Sequence, residues 1–317
     1  MKKWLTERLI CPECTGEEIP LDLTVHEERD DDILDGELTC PACRRAYPIR
    51  GGVAIVLPAA SRDVLHETSG YNSRIMLSAY LWSHFSDLLK DPEATDAYRI
   101  WSSFFRESAG DALDIGCSVG RLSFELSKTH SRVIGIDTSV SFIKTARDLM
   151  KRKALEFDLV IEGLLTEKRS GQLDPAFRLD RVEFIVADAL ALPFRKQAFA
   201  AVTSINILEK VAVPLKHLAN VNRVLQKNGA MFVFSDPFSW DESVSPPDLW
   251  LSAGTNGNGR LRGIDSIGAY LKGKGGVFDP PLTVIGSGQV PWKIRKTENL
   301  WEHIRSQFVV GIRSQGG

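Results

Sequence analysis

Asp111–Ser127, DALDIGCSVGRLSFELS, is the stretch whose reading decides the fold. A four-residue apolar run, Ala112–Ile115, carries a single acid, Asp114. It breaks into Gly116-Cys-Ser-Val-Gly120 and resumes at helical spacing through Leu122, Phe124 and Leu126, which predicts strand, tight turn and helix. Glycines let the backbone pass close to a ligand, and the N–H groups of a new helix face whatever occupies the turn. Gly116, Ser118 and Gly120 would then form a nucleotide-type loop at the carboxyl edge of a parallel sheet. Taken alone, Gly-x-x-x-Gly is equally compatible with a plain turn.

The neighbouring strands sharpen this reading. Arg132-Val-Ile-Gly-Ile-Asp137 ends in an acid about twenty residues after the turn, where a carboxylate can take both ribose hydroxyls. Val182-Glu-Phe-Ile-Val-Ala-Asp188 ends in another acid and runs on into Ala-Leu-Ala-Leu-Pro-Phe. A fourth strand, Ala200–Ile205, ends at Asn206, either a helix cap or a polar group at a reacting centre. The helix Leu215–Leu225 closes at Lys227-Asn-Gly229 and leads into a fifth strand, Ala230–Ser235. Strand and helix alternate throughout, as a doubly wound sheet requires.

These motifs resemble the class I S-adenosylmethionine-dependent methyltransferases, in register from about Leu113 to Asp236 and more loosely beyond. The resemblance implies a Rossmann-like α/β fold with a seven-stranded, mostly parallel sheet, and S-adenosylmethionine as cofactor. It puts Asp114 on the methionine amino group, Asp137 on the ribose and Asp188 on the adenine amino group. Gly116, Ser118, Gly120, Ala189 and Asn206 complete the implied cofactor site. Ser118 departs from the family's usual glycine and narrows the loop. A pyridine-dinucleotide enzyme is the competing class, but its pyrophosphate favours a full Gly-x-Gly-x-x-Gly, absent here.

Before this domain stand Cys11-Pro-Glu-Cys14 and Cys40-Pro-Ala-Cys43, with 25 residues between the pairs. Two such knuckles supply four thiolates for a tetrahedral zinc, and a closed four-cysteine shell leaves no position for substrate, so the ion is structural. Residues 4–58 resemble the small Trm112-like zinc-ribbon domains that bind methyltransferases or are fused to them. The resemblance implies that the module stabilises or covers the larger domain. Zinc ribbons also bind nucleic acid, but residues 1–60 hold seven Lys and Arg against twelve Asp and Glu, a balance of −5 that opposes phosphate.

The expected organisation is a zinc ribbon over 1–58, a helical linker or lid over 59–109 and the methyltransferase domain over 110–317. Aromatics at helical intervals in the linker either pack the parts together or close over the cofactor; as a lid, Tyr80 and His84, one turn apart, would face the substrate. After the helix Phe142–Lys153, the Leu159–Asp180 insert is too apolar for simple disorder. That insert, with Leu113–Cys117, Ile205–Val211 and Ser235–Trp240, is similar to the methyltransferase part of ovothiol-pathway enzymes, which methylate a mercaptohistidine imidazole. Their iron-dependent sulfur-inserting part has no counterpart in the sequence.

Asp236-Pro-Phe-Ser-Trp240 follows the fifth strand, and its aromatics with one carboxylate suit a small planar or cationic substrate, so Asp236 and Trp240 join the substrate candidates. Gly254–Gly263 reads as a flap. The chain ends in two further strands, on which Lys293 and Arg295 form either a solvated face or a carboxylate clamp. Cys117, inside the turn, reads as small and packed, with a methyl-accepting thiol as the alternative.

A length of 317 residues with a net charge of −2 excludes a general attraction to nucleic acid or anionic lipid. No apolar run approaches the ~18 residues of a membrane span and no signal-peptide core is evident, so a cytoplasmic protein is expected. The expected activity is methyl transfer to a heteroatom of a small molecule. The alternatives are a methyltransferase acting on RNA or a translation-related protein, and a non-catalytic scaffold that retains the cofactor pocket.

Overall fold

A computed structural model describes residues 1–61, 70–252, 255–256 and 259–314. In chain order the strands are β1 (Asp22–Arg29), β2 (Asp32–Thr39), β3 (Ala46–Arg50), β4 (Val53–Val56), β5 (Ala112–Ile115), β6 (Val133–Asp137), β7 (Ala154–Glu162), β8 (Leu165–Gln172), β9 (Val182–Ala187), β10 (Ala201–Ile205), β11 (Met231–Asp236), β12 (Thr255–Asn256), β13 (Gly259–Arg260), β14 (Thr283–Arg295) and β15 (Trp301–Ile312). The α-helices are α1 (Arg74–Phe85), α2 (Ala97–Ser102), α3 (Arg121–Leu126), α4 (Val140–Arg152), α5 (Pro214–Val224) and α6 (Gly263–Leu271).

The expected seven strands are present as β9-β6-β5-β10-β11-β15-β14, but they belong to a single sheet of eleven. The seven-strand expectation is therefore too small. The extra four, β1-β2-β3-β4, come from the cysteine-bearing segment: β4 lies parallel to β9 with Ile55 opposite Val186 and Val56 opposite Ala187. An exposed strand edge offers unpaired N–H and C=O groups, and here the N-terminal meander covers the edge that β9 would otherwise leave open. From β4 to β11 the pairings are parallel; β15 runs antiparallel to β11 and forms a long hairpin with β14. The buried parallel strands read as near-continuous apolar runs, with β9 buried at all six positions.

The Leu159–Asp180 insert forms most of the β7–β8 hairpin, which stands apart from the main sheet and packs against α1: Ser78 Oγ accepts from Val160 N at 2.8 Å. α1 also lies across β14, with Ser83 Oγ donating to Lys293 O at 2.6 Å. Two large apolar clusters result, one on each face of the sheet region. One gathers Trp82, Phe85, Trp101, Phe124 and Phe184; the other gathers Leu5, Tyr47, Ile134, Phe194 and Phe232. The predicted Gly254–Gly263 flap lies partly outside the described residues; within it, β12 and β13 pair antiparallel. No helix among the described residues is long and apolar enough to cross a membrane.

Candidate active site and metal centre

Acids at strand ends become a site because parallel strands end on one edge. A cavity of about 730 Å³ opens there, and Asp114 of β5, Asp137 of β6 and Asp188 just after β9 line it together with Gly116, Ser118, Ala189 and Asn206. Gly120 does not line it; its φ of 87° begins α3, and a Cβ there would stand 2.6 Å from the Phe184 ring. Gly116 has a φ of 74°, and a Cβ would run into Ile207, so the loop needs glycine there for space as well as conformation. Ser118, where the resemblance led to an expectation of glycine, also adopts a positive φ of 49°.

Each acid is held differently. Asp114 is buried, and its oxygens accept from Thr203 Oγ1 at 2.7 Å and Ser123 Oγ at 2.6 Å. Burial pushes its carboxyl up, and the two hydroxyls oppose the shift. Asp137 accepts from Ser118 N at 3.0 Å and Ser139 N at 2.8 Å. Burial pushes it up to about 6, against the pull of those backbone donors. Asp188 accepts from Ser61 Oγ at 2.5 Å and Leu190 N at 2.7 Å.

One end of the cavity is aromatic. Tyr71, Tyr80, His84, Tyr98, Phe142 and Trp292 line it. Tyr80 is central, with ring centroids 5.0 Å from Phe142, 5.8 Å from His84 and 6.0 Å from Trp292; His84 lies 4.4 Å from Tyr98. His84 is 4% exposed, and its Nδ1 has no hydrogen-bond partner. Burial, followed by the Arg121 charge, holds the imidazole well below its ordinary pKa, so it is neutral near pH 7.

Two substrate candidates lie elsewhere. Asp236 is fully buried off the cavity wall, accepting from Leu208 N at 3.0 Å and Phe238 N at 2.8 Å, and thus secures the loops after β10 and β11. Burial and the neighbouring Glu209 push its carboxyl up to about 8. Trp240 stacks on Trp250 with centroids 5.9 Å apart, also away from the cavity. The aromatic cluster after β11 packs with itself, and the aromatic wall comes from α1, α2, α4 and β14 instead. Cys117 lines the cavity but is 3% exposed, and burial raises its thiol pKa well above the ordinary value. Lys293 pairs with Glu93 at 2.7 Å, and Arg295 lies over the Trp301 ring, so neither is a free clamp.

Sequence reasoning missed Tyr98, Phe142 and Trp292, although each falls in a segment recognised as regular structure. It also missed Pro12, Glu13 and Ser61, which line the opposite part of the cavity. Those three bear no local signal, because only the docking of the N-terminal strands against β9 carries them there.

The donor sulfurs of Cys11, Cys14, Cys40 and Cys43 lie within 4.8 Å of one another. A tetrahedron of Zn–S bonds of about 2.3 Å separates its sulfurs by roughly 3.8 Å, so this all-thiol cluster fits a zinc ion. The cofactor also fits the cleft. Ser118 Oγ and Asn206 Oδ1 are buried at its wall without partners, polar groups for which a polar ligand would supply the missing bonds.

Strand order and the acids on one edge define a Rossmann-like α/β domain joined to a cysteine-bearing module. The comparisons agree: residues 113–233 match the family described as "Methyltransferase domain", and residues 2–52 match "Trm112p-like protein". Among curated relatives, the ubiquinone/menaquinone biosynthesis C-methyltransferase of Pectobacterium carotovorum is 26% identical over 161 residues, 48% of this chain and 55% of the relative. An uncharacterized 37.1 kDa protein in a Streptomyces fradiae transposon is 30% identical over 167 residues, 50% of this chain and 40% of the relative. The chain spans about half the length of the curated relatives it matches. A solved complex of the Haloferax volcanii Trm112 methyltransferase activator with a methyltransferase overlays with a TM-score of 0.45, 16% identity, and coverage of 77% of this chain and 100% of that one. By these family matches the chain is similar to a methyltransferase domain over residues 113–233 and to a Trm112p-like protein over residues 2–52.

Proposed function

We propose that the protein transfers a methyl group to a nitrogen or sulfur of a small planar molecule, an imidazole of the mercaptohistidine kind being the favoured class. The observation that carries this reading is the aromatic chamber around Tyr80 and His84, continuous with the cleft that holds Asp114, Asp137 and Asp188. Aromatic walls select a flat acceptor by stacking and exclude water from its reacting atom.

In this reading Asp114 orients the methionine amino group, Asp137 the ribose and Asp188 the adenine. Ser118 and Asn206 offer further polar contacts. Bound S-adenosylmethionine supplies an electrophilic methyl group on a good leaving group. The protein therefore needs mainly alignment, which can contribute ~7 to 11 kcal/mol to lowering the barrier. His84, neutral and without a partner at Nδ1, offers a hydrogen bond that orients the acceptor. Zinc in the four-cysteine cluster is structural.

The Trm112-like module also suits a methyltransferase of RNA or a translation-related protein, but the acidic balance of residues 1–60 disfavours RNA. A cofactor-retaining scaffold would bind cofactor without turnover. The deciding experiment is calorimetric titration of zinc-replete protein with S-adenosylmethionine and S-adenosylhomocysteine, using Asp137→Ala as control. Micromolar binding lost in the variant is expected, followed by turnover with histidine-derived thiols. A folded protein that binds neither molecule would overturn the assignment, and binding without turnover of any acceptor class would favour the scaffold.

A further inference from the structure

The metal cluster and the cavity are joined by a short path of contacts. Glu13 lies inside the first knuckle, between Cys11 and Cys14; its Oε1 accepts from Ala59 N at 2.6 Å and faces Arg45 Nη1 at 3.2 Å. Two residues beyond Ala59, Ser61 Oγ donates to Asp188 Oδ2 at 2.5 Å. A second link leaves the same knuckle, because Ile10 N donates to Pro193 O at 2.9 Å in the segment following Asp188. Pro12, Glu13, Pro58, Ala60 and Ser61 themselves line the cavity.

We propose that the four-cysteine metal site is energetically coupled to the cofactor cleft through Glu13 and the 58–61 strap, with Ser61 as the positioning residue that fixes Asp188. The inference rests on the cofactor reading above. A metal-held knuckle sets Glu13, Glu13 holds the strap by the Ala59 amide, and the Ser61 hydroxyl fixes one oxygen of Asp188 while Leu190 N fixes the other. The remaining lone pairs of the carboxylate are then presented to the ligand without further ordering cost. Coupling between two sites is reciprocal, so a ligand in the cleft must strengthen metal retention by the same factor.

The test uses the full-length, zinc-loaded protein with S-adenosylhomocysteine as the probe. Its affinity is measured by calorimetry, and zinc affinity by chelator competition with and without saturating S-adenosylhomocysteine, for the wild type, Ser61→Ala and Ser61→Thr. Loss of one hydrogen bond to a charged group predicts roughly ten-fold weaker binding by Ser61→Ala. Ser61→Thr, which keeps the hydroxyl, should restore it. In the wild type the ligand should raise zinc affinity, and Ser61→Ala should diminish that increase. Equal binding by Ser61→Ala and wild type, or zinc affinity indifferent to the ligand, would overturn the coupling. A wild type that does not bind S-adenosylhomocysteine at all would overturn the cofactor reading first and the coupling with it.

Discussion

Asp137 carries the most direct consequence at the scale of single residues. In the proposed role its carboxyl, raised by burial to about 6, must be ionised to accept two ribose hydroxyl hydrogens. The acid is charged above that value and neutral below it, so affinity for S-adenosylhomocysteine should be constant from pH 8 to 7 and fall as the pH drops through about 6. Calorimetry across that range checks this, and binding independent of pH down to 5 would remove Asp137 from the role. Asp114, Asp137 and Asp188 were legible in the sequence because each sits at or near the end of a short apolar run that breaks into a turn. Ser61 was not, since its partner is 127 residues away.

At the scale of elements, α1 carries the aromatic side of the cavity. Ser73 caps it by accepting from Met76 N, and Tyr80 and His84 share one face because residues four apart are neighbours on a helix. Arg121, at the start of α3, donates to His84 O at 2.8 Å and pairs with Asp87, tying the helix after the cofactor turn to the end of α1. The backbone at His84 is therefore held by the same element that follows the glycine turn. His84→Gln should lower kcat about ten-fold, the cost of one hydrogen bond that orients the acceptor. Affinity for S-adenosylhomocysteine should be unchanged, so single-turnover kinetics and calorimetry together test the assignment. An unaltered kcat would sink it. The helices were legible from aromatic spacing, whereas the face each one presents to the cleft depended on packing against β14 and the β7–β8 hairpin.

At the scale of the whole molecule, the N-terminal meander is bound to the larger domain by charge as well as by the β4–β9 pairing. Arg147 is 2% exposed and donates to Glu183 Oε1 at 2.5 Å and Asp32 Oδ1 at 2.7 Å; Glu183 is fully buried. Removing one partner of such a pair leaves an uncompensated buried charge, which costs about 3 to 5 kcal/mol. Arg147→Met should therefore lose stability of that order in urea denaturation at pH 7. Burial would raise the Asp32 carboxyl, but Lys151, the Met1 amino group and Arg147 together hold it well below the usual carboxylate range. The stability this provides is complete above the ordinary value of about 3.9 and is lost as the pH falls through the lower folded value. The acid-induced loss should be smaller in Arg147→Met, because one of the groups that lower Asp32 is gone.

The sequence by itself determined the alternation of strand and helix, the three acids, the glycine turn and the two cysteine knuckles. All are encoded by neighbours close along the chain, where periodicity and backbone freedom act. Only the tertiary structure decided that the sheet has eleven strands, that Asp236 and Trp240 lie off the cavity wall, and that residues 12, 13 and 61 line the cavity. The physical reason is that these depend on which sheet edge the meander covers and which face each helix buries, pairings between segments more than a hundred residues apart.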